Sequence, residues 1–315
     1  MAQSPKEHVN LTRYAWLSLA AAVATIVLKT SAYAVTGSVG LLSDAAESLV
    51  NLAAAVIALL VLRTVAKPAD SRYTFGRSKA EYFSSAVEGS MIFVAAGFIM
   101  YAAVGRLLHP QAIDKLGVGL VISVIASLIN GAVSLVLLHA AKLYRSPTLH
   151  ADGIHLGTDV VTSAGVVIGV TLVGITHWQP LDPIVALLVG INIIVAGFRL
   201  VRGSLAGLMD VTLPDAQNKA LLAVLRQFTT PTVQFHGLQT RVSGHEAYAN
   251  VDIQVPGQTS VLASHQLAED VKTAMKSAVD DLHVMVHVEP IEDQLSYEDI
   301  PEGYIPINME NQENL

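Results

Sequence analysis

The chain contains no cysteine. Disulfides, thiolate zinc sites, iron–sulfur clusters and cysteine nucleophiles are therefore excluded, and any bound metal must rest on imidazole, carboxylate or amide groups. Charge is scarce as well: 14% of the 315 residues are charged and 52% are hydrophobic, whereas soluble domains carry roughly 25% charge. This composition points to a membrane protein. The first 30 residues show no small-residue cleavage site behind a short apolar core, so the first hydrophobic run is expected to stay in the protein.

The net charge of -7 hides an asymmetry. Residues 1–205 carry 14 Lys and Arg against 10 Asp and Glu, whereas residues 206–315 carry 5 against 16. A basic membrane part and an acidic C-terminal part argue for two domains and against a nucleic-acid partner.

Six segments are apolar over the roughly 20 residues that a helix needs to cross a bilayer core. They run approximately Tyr14–Thr36, Leu41–Val65, Phe83–Leu107, Leu116–Ala140, Ile154–Ile175 and Pro183–Leu205. An even number places both termini on one side. Lys6, Arg13, Arg63, Lys67, Arg72, Arg77, Lys79, Lys142, Arg145, Arg199 and Arg202 then fall on one face, with Arg106 and Lys115 on the other. By the positive-inside rule the richer face is cytoplasmic, so both termini and the acidic part are expected there.

After Asp210 the pattern becomes that of a small soluble domain. LPDAQNKALLAVLRQF reads as a helix, VQFHGLQTRV and AYANVDIQVP as alternating strands, SVLASHQLAEDVKTAMKSAV as an amphipathic helix capped by Ser260, and HVMVHVEP as a last strand. From Ile291 onward, polar residues and prolines suggest a loose end. The expected fold is a membrane all-α bundle of six transmembrane helices plus a small cytoplasmic α+β (α-β-β-α-β) domain. Its parts are an N-terminus over 1–13, the bundle over 14–209, a regulatory or dimerisation domain over 210–293 and a flexible tail over 294–315.

Two of the membrane helices carry ionisable groups in matching patterns. The second has Asp44, Glu47 and Asn51; the fifth has Asp152, His155 and Asp159. Both sets use the spacing i, i+3, i+7, which lies along one stripe of a helix. If the stripes face each other, Glu47, Asn51, His155 and Asp159 surround one point with carboxylate, amide oxygen, imidazole and carboxylate, a ligand set for a divalent first-row metal. Such groups could instead serve as polar glue between helices, but three matched positions on each of two helices favour a site. Imidazole and carboxylate also accept protons, so metal entry would displace them. Glu88 is a further buried acid and a candidate proton relay or interhelical hydrogen-bond partner, and Asn130 and Lys29 need partners that the sequence does not name.

At these residues the sequence resembles the cation diffusion facilitator family of divalent metal and proton antiporters, which includes bacterial zinc and iron efflux pumps. The resemblance rests on LLSDAAESLVN, YTFGRSKAEYFSS, ADGIHLGTD, LDPIVALLVG, LMDVTLPD, HGLQTRVSG and MVHVEP, in that order. It implies a secondary transporter in the bacterial inner membrane, not an enzyme, with a homodimer formed through the C-terminal domain. The transport ligands fall on Glu47, Asn51, His155 and Asp159. The family's zinc transporters usually place Asp or His at position 47 and Asp at 51, so the site here has one carboxylate fewer and one fewer titratable group. Asp44 and Asp152, one turn earlier, are expected to orient the site or line a vestibule.

The family's second site, in the loop between the second and third helices, falls on Asp70, Tyr73 and Arg77. A cation at Arg77 opposes metal there, so this site is expected to be absent. The regulatory metal positions of the tail fall on His236, Asp252, His265 and His287, with Glu289 close by, and a charge interlock falls on Lys79 and Asp210. His155 tilts the substrate towards Zn²⁺ or Fe²⁺, with Mn²⁺, Co²⁺ and Cd²⁺ open and Cu(I) disfavoured. The alternative is a metal-sensing or assembly protein that no longer transports. A membrane metal hydrolase is disfavoured because the sequence lacks an HExxH motif.

Overall fold

The computed structural model describes residues 11–36, 39–108, 117–176, 178, 180–298 and 302–307. Six long helices come first: α1 (Thr12–Thr36), α2 (Val39–Val65), α3 (Ala80–Leu108), α4 (Gly117–Tyr144), α5 (Pro147–Thr176) and α6 (Leu181–Leu208). At about 1.5 Å per residue, helices of 25–30 residues exceed the roughly 30 Å of a hydrocarbon core. Within the described residues, the Thr12–Ser31, Ala80–Gly105, Val124–Tyr144 and Pro183–Leu208 stretches are each long and apolar enough to span it. The helices α2 and α5 carry the polar stripes. The side chains of Asp44 and Glu47, in α2, lie outside the described set.

Packing places α5 at the centre of the bundle, against α4, α3 and α2, while α1 lies on α2 and α4. One apolar cluster joins α1, α2, α4 and α5 through Ala15, Leu59, Leu137 and Leu156; another joins α3, α5 and α6 through Ile92, Ala151 and Ile193. The crossing of α3 with α6 requires glycine. A Cβ on Gly89 would stand 2.8 Å from Val201 Cγ2 and 3.3 Å from the Gly197 carbonyl.

The expected start of the fifth helix differs from the observed one by seven residues. Ser146 and Pro147 explain it: proline suits the first helical position, and Ser146 Oγ accepts from Leu149 N at 3.4 Å. The polar turns that follow obscured this start in the hydropathy pattern.

The chain divides into two compact units, Met1–Ala206 and Gly207–Leu315. The second contains α7 (Asp215–Phe228), β1 (Gln234–Ser243), β2 (Glu246–Val255), α8 (Val261–Ala278), β3 (Leu282–Pro290) and a 3₁₀ turn (Gln294–Tyr297). The sheet order is β1-β2-β3, with β1 antiparallel and β3 parallel to β2. Val251, Ile253 and Val255 point to one face and pack with Leu221 and Leu225 of α7 and Val271 and Met275 of α8. Strand alternation sends Asp252 to the opposite face. Ser260 caps α8, its Oγ accepting from Ala263 N at 3.2 Å.

The end read as loose from Ile291 is partly folded. Ile305 N donates to Leu238 O at 2.7 Å, and Ile307 is buried in the core. The apolar pair in YIPI has a docking face on β1 that composition alone does not display.

Candidate metal centres

In the bundle, α2 and α5 bring Asn51, His155 and Asp159 together. His155 Nε2 lies 2.7 Å from Asn51 Oδ1, and Asn51 Nδ2 donates to Asp159 Oδ2. An amide oxygen only accepts, so the imidazole donates from Nε2. The reversed amide would set its oxygen against the Asp159 carboxylate. Nδ1 of His155 is left as a buried lone pair with no hydrogen-bond partner among the described residues. Asn130 of α4 completes the cluster, its Nδ2 donating to the same Asp159 oxygen at 3.3 Å. The sequence marked Asn130 as needing a partner; a lone amide on an apolar helix has no periodic companion to name one.

Two other buried acids belong to the bundle, Asp152 on α5 and Glu88 on α3. Asp152 Oδ1 accepts from Ser18 Oγ of α1 at 3.0 Å, and Glu88 Oε1 of α3 accepts from Ser84 Oγ at 3.0 Å. The second oxygen of each carboxyl is buried without a partner among the described residues. The position of α5 depends on Gly153, where Ser134 Oγ donates to the Gly153 carbonyl at 2.7 Å and an added Cβ would meet Leu138 at 2.9 Å.

The loop after α2 commits Asp70 elsewhere. Its Oδ2 pairs with Arg77, and its Oδ1 accepts from the backbone N–H groups of Arg72 and Tyr73, each at 2.9 Å. The Arg77 hydrogen bond, with those amides, holds this carboxyl below the usual value. Arg77 also stacks on Tyr73, 4.3 Å from the ring centroid.

In the C-terminal unit, the open sheet face brings Asp252 of β2 beside His287 and Glu289 of β3, with one ligand atom from each within 4.8 Å of the others. His287 Nδ1 lies 3.5 Å from Asp252 Oδ1 and 3.3 Å from Glu289 Oε1. His236 of β1 joins through Nε2, 2.8 Å from Glu289 Oε2. Burial, with the Glu289 charge adding, raises the Asp252 carboxyl above its ordinary value. Imidazole and carboxylate converging in this way suit a divalent cation. His265 is exposed on α8 and outside this group. Lys79 and Asp210 belong to different units; within its own, Asp210 accepts from Arg241 Nη1 at 3.0 Å.

A helical membrane unit with a polar intramembrane cluster and an α+β appendage defines the class, an integral membrane transporter. Residues 15–209 match the cation efflux transmembrane domain and residues 213–291 the cation efflux protein cytoplasmic domain. The chain belongs to the cation efflux family, that is, the cation diffusion facilitators. It is 46% identical to an uncharacterised transporter of Synechocystis, over 90% of this chain and 92% of that protein. It is 28% identical to the cation-efflux pump FieF of Salmonella arizonae, over 89% and 93%. The solved metal-bound C-terminal domain of the CzcD transporter from Thermotoga maritima is 31% identical, over 25% of this chain and 91% of that one, with a TM-score of 0.23.

Proposed function

We propose that the protein exports a divalent metal ion from the cytoplasm in exchange for protons. The ion binds between α2 and α5 on Glu47, Asn51, His155 and Asp159, and the bundle alternates between inward and outward access around that point. The observation that carries this reading is the meeting of buried Asn51 and His155 with part-buried Asp159 inside the helical bundle. A cation entering there replaces the amide donors now on Asp159 and binds His155 at Nε2, the nitrogen that faces Asn51, while the Nε2 proton is released or is taken up at Nδ1. One imidazole among oxygen ligands favours Zn²⁺ or Fe²⁺, with Mn²⁺, Co²⁺ and Cd²⁺ as competitors.

Asp152 and Glu88, with Asp44, line the path by which protons return. The group of His236, Asp252, His287 and Glu289 binds a regulatory ion, and the C-terminal unit pairs two chains in the membrane. The match to a cation efflux cytoplasmic domain supports the pairing and a cytoplasmic place for this unit, and the membrane we assign is a bacterial inner membrane.

The test is uptake of Zn²⁺, Fe²⁺, Mn²⁺, Co²⁺ and Cd²⁺ into proteoliposomes under an imposed proton gradient, with wild type and Asp159→Ala. The expected result is gradient-dependent flux that Asp159→Ala abolishes. Metal binding without flux of any ion would make the chain a sensor or assembly protein, a reading that the missing carboxylate at Asn51 favours.

A further inference from the structure

The family match of the C-terminal unit ends at residue 291, but the folded chain continues. Asp293 caps the 3₁₀ turn, its Oδ1 accepting from Leu295 N at 3.1 Å. Ser296 Oγ donates to the Pro290 carbonyl at 2.8 Å, beside Glu289, and Tyr297 OH donates to Ile291 O at 3.1 Å. Further on, Ile305 pairs antiparallel with Leu238, and Ile307 enters the core. Leu238 lies two residues past His236, at the irregularity of β1 where Gly237 has φ of +62°. The Tyr297 ring lies 13° from parallel with the His236 imidazole, centroids 6.4 Å apart.

Beside this strap, the candidate metal-ligating group is unevenly exposed. The side chains of His236 and Glu289 are 15% and 10% exposed, whereas that of His287 is 68% exposed. The Nδ1 of His236 is buried and has no hydrogen-bond partner among the described residues.

The geometry points to the strap as a working part of the C-terminal metal site, with Tyr297 as the positioning residue that holds the His236 ring. This inference rests on reading His236, Asp252, His287 and Glu289 as a site for a divalent cation. An imidazole ligates only along a lone pair in its ring plane, so a ring free to turn must be ordered when the ion binds. A stacked neighbour does that ordering in advance, and the backbone ties at Leu238 and Pro290 fix the strands that carry His236 and Glu289. The ion enters at the open His287 and completes its coordination at the covered His236.

The experiment titrates Co²⁺ into the full-length chain in detergent, with Asp159→Ala present throughout to silence the membrane site, and reads affinity and the visible d–d bands. Tyr297→Ala is expected to weaken binding about tenfold, as loss of a supporting partner of a ligand does, and to alter the bands. Tyr297→Phe keeps the ring and is expected to bind as the parent does, and deletion of residues 294–315 to lose at least as much as Tyr297→Ala. Parent-like affinity and bands in Tyr297→Ala would overturn the inference, as would a lower metal-free melting temperature with unchanged bands. Asp252→Ala separates the two readings. If it abolishes binding while Tyr297→Ala does not, the strap inference alone fails; if neither changes binding, the metal-site reading fails.

Discussion

Asn51 makes two contacts that a carboxylate could not make together, accepting from His155 and donating to Asp159. Replacing it in Asn51→Asp adds one titratable group, so metal entry should release one more proton and affinity should climb more steeply with pH, which calorimetry in buffers of different ionisation enthalpy would show. Asn130→Ala removes a donor to Asp159 without touching the ion, and should raise the metal concentration for half-maximal flux about tenfold. At Asp252 the sign of the pH effect is fixed by the raised carboxyl. The metal-free folded state binds more protons there than the unfolded chain, so stability falls as pH rises past an ordinary carboxyl value near 4, and the loss is complete above the raised folded value. Asp252→Asn should therefore melt higher than the parent without metal at neutral pH, by less than about 1 kcal/mol because water screens this site. The same variant should lose the stabilisation by Zn²⁺ that is expected of the parent.

At the scale of elements, the position of α5 is set by contacts that leave little trace in periodicity. Gly153 admits Leu138 of α4 where a methyl group would clash at 2.9 Å, 3.2 Å from the Leu138 backbone nitrogen. Gly153→Ala should cost about 1–3 kcal/mol in thermal unfolding of the solubilised protein. It should also depress flux, because Asp152 and His155 flank that turn. The six helices and the α-β-β-α-β order were legible in the sequence because apolar length and strand alternation are local signals. The i, i+3, i+7 stripes were legible for the same reason and led to Asn51, His155 and Asp159. Ser18 and Asn130 were not assigned roles, since a single polar residue on an apolar helix becomes informative only when its neighbour in space is known. The β1 irregularity and the strap needed the partner strand to be visible; Gly237 was the one local hint.

The whole molecule joins a basic membrane part to an acidic appendage, and the placement of the basic residues predicts its orientation. Moving them across a bilayer during insertion is costly, so the richer face is expected to stay inside. The absent cysteine turns this into a clean experiment, because one introduced thiol is then the only thiol in the protein. Gln258→Cys places it in the exposed turn before α8, and Gln111→Cys places it in the connection between α3 and α4. A membrane-impermeant maleimide added to intact cells should label Gln111→Cys at once and Gln258→Cys only after lysis. The opposite pattern would put the acidic unit outside, where the proposed metal site could not sample the cytoplasmic ion load, and would overturn export and regulation together.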